Sequence, residues 1–379
     1  MRSANQNRDY QIELDNPHLP PPSVTHAGRA RRAAHRIILA AAAAGSAASF
    51  AAQSPTVTIS RVNIVDTVTG GIAANRTVTI QGTAITSVTE ESKPSNGTSV
   101  VDGQGKFLIP GLWDMHTHME AVGEAWLPLS VANGVTSIRD MGSDLDLILK
   151  MREATASGRV LGPRVFAAGP ILDDAPGDWP FRMRVTTGAD GRAAVQQLKR
   201  RGVDLIKVHN HTPRDAFFAI ADEAGRQKLP LAGHVPMKVS TEEAVEAGQT
   251  GIEHLSESQL WIRCSGGEQY QPEKCRPLFE LLARRKVWQT PTLVASELVT
   301  IGTPRSRVSA EHYAYAGRSL RELWAGLQKA FVNPELLRIF TARAQVAPTV
   351  TRDLWKTGVD ILAGCDTMIA GFWSTTSWR

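Results

Sequence analysis

The chain has little cysteine: Cys264, Cys275 and Cys365 are all it carries in 379 residues, and no two stand at a CxxC spacing. That excludes a cysteine-built zinc site and a disulfide-dense scaffold. Cys264 and Cys275 bracket a Gly-rich polar loop and are placed to form a disulfide after export, while Cys365 reads as a small core residue. Charge of one sign is also lacking. The net charge is +5, and residues 1–52 hold six Arg against Asp9, Glu13 and Asp15, so the remainder is close to balanced and gives no nucleic-acid footprint. No apolar run is long enough to span a bilayer.

What is present is a globular composition, 42% hydrophobic and 21% charged, in a chain long enough for one large barrel and a small accessory domain. Arg29-Ala30-Arg31-Arg32 precedes an Ala-rich apolar run from Ile37 to about Ala44 and then small residues through Ala52. This is the pattern of a secretory signal, with cleavage expected after Ala51 or Ala52. Residues 1–52 are therefore read as a leader and the mature protein as exported, periplasmic or secreted, without stable membrane insertion once the signal is cleaved.

From residue 53 to 106 the pattern has period two. Val57 and Ile59, Val62 and Ile64, then Val78 and Ile80 alternate with polar residues, and Gly70-Gly71, Gly82 and Asn96-Gly97 punctuate them as turns. This predicts a small antiparallel β domain, a β-sandwich. After Pro110-Gly111 strands alternate with helices. Strands are expected at 107–118, 135–140, 164–169, 204–209, 229–235, 250–254, 287–293 and 359–366. Thr212 before Pro213 marks a helix start, Ser240 with Glu243 a capping box, and Lys199-Arg200-Arg201-Gly202 a helix end. The fold class is α/β, a (β/α)8 TIM-like barrel over 107–379 behind the small β domain. Thirteen residues follow Asp366, too few for an eighth helix, so the barrel is expected to be incomplete at its C-terminus, and a frameshifted gene is the suspected cause.

Five segments each end in a residue that can bind a divalent metal. His116 and His118, two apart on a strand, project to one face and can grip one ion. His234 and His254 close the fifth and sixth barrel strands, and four imidazoles suit zinc. Lys207 lies amid Leu205, Ile206 and Val208. A buried ammonium is costly, which favours the neutral amine, and a neutral amine can take up carbon dioxide to form a carbamate that bridges two metals. The alternative is a lysine reaching from the strand end to a phosphate or carboxylate. His209, on the face of Lys207, is either a substrate-pocket group or a spacer. Asp366 ends the last strand, where it can bind metal and serve as general base and then general acid. Two metals about 3.5–4 Å apart would bring a bridging water towards neutral pKa. Arg139 either binds a substrate carboxylate or pairs with Asp140 or Asp144. The acidic loop Asp173–Trp179, after the third strand, either overhangs the pocket and selects a cationic substrate or is an ordinary exposed acidic loop.

The ordered set resembles the amidohydrolase superfamily, in its binuclear branch with a carboxylated lysine. Ile109-Pro110-Gly111-Leu112-Trp113-Asp114-Met115-His116-Thr117-His118 looks like that family's first-strand motif, and Gly134–Asp140 like its second strand. Ala232-Gly233-His234-Val235-Pro236 and Gly251-Ile252-Glu253-His254-Leu255 resemble the imidazolonepropionase-like and prolidase-like group. The resemblance implies two divalent ions, Zn2+ by preference: one held by His116, His118, Lys207 and Asp366, the other by Lys207, His234 and His254. It implies hydrolysis of an amide or peptide C–N bond in a small molecule or dipeptide, as by a dipeptidase or cyclic-amide hydrolase. A mononuclear deaminase and an inactive truncated fragment are the alternatives, and a homo-oligomer stays open.

Overall fold

The computed structural model describes residues 56–90, 99–175, 181–255, 270–295 and 334–366, with the single positions 264, 318, 321, 322 and 325. The leader at 1–52, residues 176–180 of the acidic loop and the tail beyond Asp366 lie outside the described residues. Among the described residues no helix is long and apolar enough to cross a membrane.

Strands β1 (Thr56–Val65), β2 (Ile72–Gln81), β3 (Ala84–Glu90), β4 (Ser99–Asp102) and β5 (Phe107–Leu108) form one sheet, ordered β3-β2-β1-β4 with β5 also on β1. The alternation that predicted the strands is real: Val57 faces Ile80, and Ile59 faces Val78. The expected antiparallel sandwich is not what these residues make. They form a single sheet, in which β4 and β5 run parallel to β1. β3 and β4 run the same way at opposite edges of this sheet.

The remainder is mixed α/β. β6 (Leu112–Thr117), β7 (Val135–Asp140) and β8 (Arg164–Ala167) form a parallel three-stranded sheet. A six-stranded parallel sheet follows in the order β10 (Arg182–Arg184), β9 (Ile171–Asp173), β11 (Ile206–Val208), β12 (Leu231–Gly233), β13 (Gln249–Glu253) and β14 (Trp288–Thr290). Among the described residues, backbone hydrogen bonds link the two sheets at two places. Asp204, just before β11, donates its N–H to Ala167 O at 2.9 Å. Residues 361–366, expected as an eighth strand, make one parallel bridge from Ile361 to Gln289 on β14 and then reach β6, where Met115 N donates to Ala363 O and Asp366 N to His116 O, both at 2.8 Å.

Helices α1 (Met119–Val122), α2 (Trp126–Ala132), α3 (Leu145–Ala156), α4 (Gly188–Arg201), α5 (Arg214–Gln227), α6 (Thr241–Glu246), α7 (Pro272–Arg284) and α8 (Pro334–Lys356) lie between the strands. On α4 and α5, Val195, Leu198, Phe217 and Ile220 are fully buried in one core with Ile206 and Val208, each contributing roughly 1.5–3 kcal/mol of burial. The caps explain the boundaries. Thr187 and Asp190 form a reciprocal box at the start of α4, and Gly202 ends it in the left-handed region behind Lys199, Arg200 and Arg201. The box of Ser240 and Glu243 starts α6 as expected. Thr212 does not cap α5; Pro213 holds that position. The Thr212 hydroxyl instead accepts from His209 N at 3.1 Å and donates to Leu172 O at 2.9 Å, which ties the turn after β11 to β9.

Candidate metal centre

Along β6 the even positions Asp114, His116 and, just past its end, His118 are buried, so the two imidazoles share a face with their ring centres 5.2 Å apart. Each ring is held from behind. His116 Nδ1 lies 2.7 Å from Glu253 Oε2, and His118 Nδ1 lies 2.9 Å from Gly142 O. A carboxylate and a carbonyl only accept, so both Nδ1 atoms carry the proton and both Nε2 atoms present lone pairs. Those Nε2 atoms are 3.3 Å apart, with Asp366 Oδ1 at 3.9 and 3.5 Å. Among the described residues these three side chains form the one His/Cys/Asp/Glu group tight enough for an ion.

The other predicted ligands adjoin this group. His254 stands 4.5 Å from His116 between ring centres, and its Nδ1 is 3.9 Å from Asp366 Oδ2 and 2.7 Å from Thr292 Oγ1. His234 lies 4.9 Å from His254, ring to ring, with its Nδ1 on Asn210 Oδ1 at 3.0 Å. His209 stacks on His234 at 4.0 Å and a 32° tilt. Lys207, fully buried at 1% exposure, sits on β11 beside Ala232 of β12.

Electrostatics ties the cluster together. Burial holds His116, His234 and His254 well below the ordinary imidazole value. Burial, followed by the positive charge of Lys207, pushes His118 down to about 4 and His209 to about 3. A positive charge on Lys207 acts on all five imidazoles in the same downward sense. Neutral rings are what metal ligation needs. Two facing lone pairs and a buried carboxylate repel each other unless a cation lies among them, so the donor set fits a divalent ion of the zinc class.

Backbone strain is concentrated here. His254, Thr292 and Asp366 all have positive φ, at 56°, 47° and 54°. Non-glycine residues seldom adopt this region, and such strain gathers at functional sites. At His254 it has a visible effect: neighbouring residues on a strand face opposite ways, yet Glu253 and His254 both reach His116.

Arg139 departs from expectation. Its ion pair is with Glu253, at 2.7 Å from Nη2 to Oε1, and not with Asp140 or Asp144. Its Nε donates to Met115 O at 2.7 Å, and Nη2 also reaches Thr290 Oγ1 at 3.1 Å. Nε and Nη2 of the guanidinium are thus taken up by protein acceptors behind His116. Asp140 accepts instead from Met119 N, Gly142 N and the Ser143 hydroxyl, and burial raises its carboxyl to about 6. Asp173 also differs from its loop reading. It ends β9 fully buried, with Oδ2 at 3.6 Å from Arg182 Nε and 3.7 Å from His209 Nδ1. Cys365 is buried as expected, but polar in its contacts: Sγ donates to Asp114 Oδ2 at 2.6 Å, while Asp114 Oδ1 accepts from His116 N and Cys365 N. Cys264 and Cys275 form a disulfide, with their Cα atoms 5.2 Å apart.

Glu253, Asn210, Thr292 and Asp114 escaped the sequence reading. Glu253 and Asp114 carried a signal, being carboxylates within apolar strands. Asn210 and Thr292 carried none, because polar residues after a strand are common.

Comparison with known proteins agrees with this geometry. The profile described as "Amidohydrolase family" matches residues 107–260, the stretch that carries His116, His118, Lys207, His234 and His254. Ochratoxinase from Aspergillus niger is 25% identical over 41% of this chain and 45% of its own length, so the match spans less than half of that relative. The structure of A. niger ochratoxinase superposes with a TM-score of 0.59 at 18% identity, covering 83% of this chain and 76% of that one. A prolidase complexed with N-methylphosphonate-L-proline gives 0.60 at 21%, covering 83% and 79%. Bottromycin amidohydrolase gives 0.61 at 22%, covering 82% and 68%. At these identities the superpositions speak for the fold, and the profile match names the family: residues 107–260 are an amidohydrolase-family domain of this chain.

Proposed function

We propose that the chain is a metal-dependent hydrolase of an amide or peptide C–N bond, acting on a dipeptide or another small amide. The observation that carries this is the convergence of the buried His116 Nε2, His118 Nε2 and Asp366 Oδ1. Support comes from relatives named ochratoxinase, prolidase and bottromycin amidohydrolase. His116, His118 and Asp366 would hold one ion, and His234 and His254 a second, with carboxylated Lys207 common to both. Zn2+ is the ion proposed. When bound, the metal supplies positive charge that acidifies water and polarises the scissile carbonyl.

The chain's own residues move the protons. Asp366 takes a proton from the attacking water as the C–O bond forms, then returns it to the departing nitrogen as the C–N bond breaks. His209, 21% exposed at its side chain and stacked on His234, borders the space where substrate approaches. The two contacts between the sheets, Asp204 to Ala167 and Met115 to Ala363, are read as the seams of a closed (β/α)8 barrel. With Arg29 to Ala52 as an export signal, the enzyme works outside the cytoplasm.

The test is metal analysis of the purified chain, followed by a screen of dipeptides and N-acyl amino acids after reconstitution with Zn2+. Metal-dependent amine release, abolished in Asp366→Asn, is expected. Two bound ions with no turnover of any open-chain amide would redirect the reading to cyclic amides or lactones. One ion and ammonia release from an amino-substituted heterocycle would replace it with the deaminase.

A further inference from the structure

The four imidazoles of the cluster are backed by different chemistry. His118 has a backbone carbonyl behind it, His234 a side-chain amide and His254 a hydroxyl. His116 alone among them is backed by a carboxylate, Glu253, at 2.7 Å. Glu253 is fully buried and is itself clamped by Arg139, whose guanidinium also grips Met115 O, the carbonyl one residue before His116. The line from Arg139 through Glu253 to His116 is therefore rigid at each joint. A carboxylate accepting from Nδ1 fixes the tautomer, orients the ring and increases electron density at Nε2, which an amide or hydroxyl does less.

We propose that Glu253 is a positioning residue that makes His116 the anchoring ligand of the centre, and that Arg139 holds Glu253 in place to do so. This rests on the metal-hydrolase reading above and adds an order among its ligands. The ion touching His116 binds first and leaves last. His234 and His254 belong to the more weakly held position.

The experiment is a chelator-competition titration of Zn2+ and Co2+ into the metal-free full chain, with the visible spectrum of the Co2+ form as a second readout. Glu253→Gln keeps shape and removes the charge. It is expected to weaken the tighter ion about 10–100-fold and to alter the Co2+ bands. Because this variant leaves Arg139 buried without its partner, Arg139→Met/Glu253→Gln is measured beside it. The double variant removes both charges and is expected to show the same loss of affinity with a wild-type melting temperature in the metal-free form. Asn210→Ala, behind His234, is expected to weaken the looser ion and spare the tighter one. Wild-type affinity for the tighter ion in the double variant would overturn the assignment, as would an unchanged Co2+ spectrum. If the wild-type chain binds no ion at all, the hydrolase reading fails first, so the two failures are distinguishable.

Discussion

Gly364 tests whether residues 361–366 lock the site together. A Cβ built there would lie 2.7 Å from Thr290 Cγ2, 2.9 Å from His116 Cβ and 2.9 Å from His116 N. Thr290 can rotate, but the His116 backbone cannot retreat without moving β6. Gly364→Ala must therefore push the segment off β6 by about half an ångström, an overpacking of roughly 1–3 kcal/mol. The bonds from Met115 N to Ala363 O and from Asp366 N to His116 O flank this point and would weaken, at about 1 kcal/mol each. The combined cost is about 3–5 kcal/mol, or ~5–10 °C in melting temperature for a domain of this size. Asp366 moves with the segment, so hydrolysis should fall by ~10–100-fold, since an ångström of misplacement is worth about a hundredfold. Thermal melts of the metal-free protein and steady-state assays with Zn2+ measure both. Gly225→Ala is the control, because no atom lies within 4 Å of its Cβ position in α5, and a stabilisation of about 0.5–1 kcal/mol is expected. A Gly364→Ala protein that melts within about 1 °C of wild type at full activity would refute the argument.

Acid should unfold the metal-free protein early. The unfolded chain takes up protons on histidine below about 6.5, whereas folded His118 waits until about 4 and His209 until about 3. Stability is thus complete above pH 6.5 and lost as pH falls towards 4, and His118 alone accounts for about 3 kcal/mol of that. Asp140, raised to about 6, and Asp173, also raised by burial, work in the opposite sense, but they are two groups against five imidazoles. Urea midpoints at pH 7 and pH 5 check this, and a midpoint no lower at pH 5 contradicts it. Lys207→Met replaces the buried side chain that the proposal shares between both ions with an apolar one of similar length. Its metal content, measured by mass spectrometry, should fall from two ions per chain to one or fewer. Stripping the wild type with a chelator should lower its stability by about 3–4 kcal/mol relative to protein at 100–1,000 times the dissociation constant, read from denaturant midpoints.

Much of this architecture was legible because the residues that build it are locally informative. Val135–Asp140 was bounded correctly by its apolar run after Gly134, and Ser240 with Glu243 announced α6 three residues apart. The spacing of His116 and His118 placed both rings on one face before any coordinates. What escaped depends on contacts remote in sequence. Ile171–Asp173 and Arg182–Arg184 are three residues each, too short to show a period, and they pair only because the chain folds back across them. Arg139 was matched to neighbouring Asp140 and Asp144, but its true partner Glu253 is 114 positions away. Glu253 itself drew no role beside His254, since no local rule foretells the positive φ that lets adjacent side chains meet on one histidine.

The contact of Asp114 with Cys365, 251 positions apart, has a consequence for biogenesis. His116 and His118 leave the ribosome early, while their carboxylate companion is translated some 250 residues afterwards. Until then the nascent chain has imidazoles without the acid that completes their trap. In the metal-hydrolase reading, the set of His116, His118 and Asp366 is complete only once residues 361–366 have docked on β6, so its assembly needs contacts made across most of the described fold.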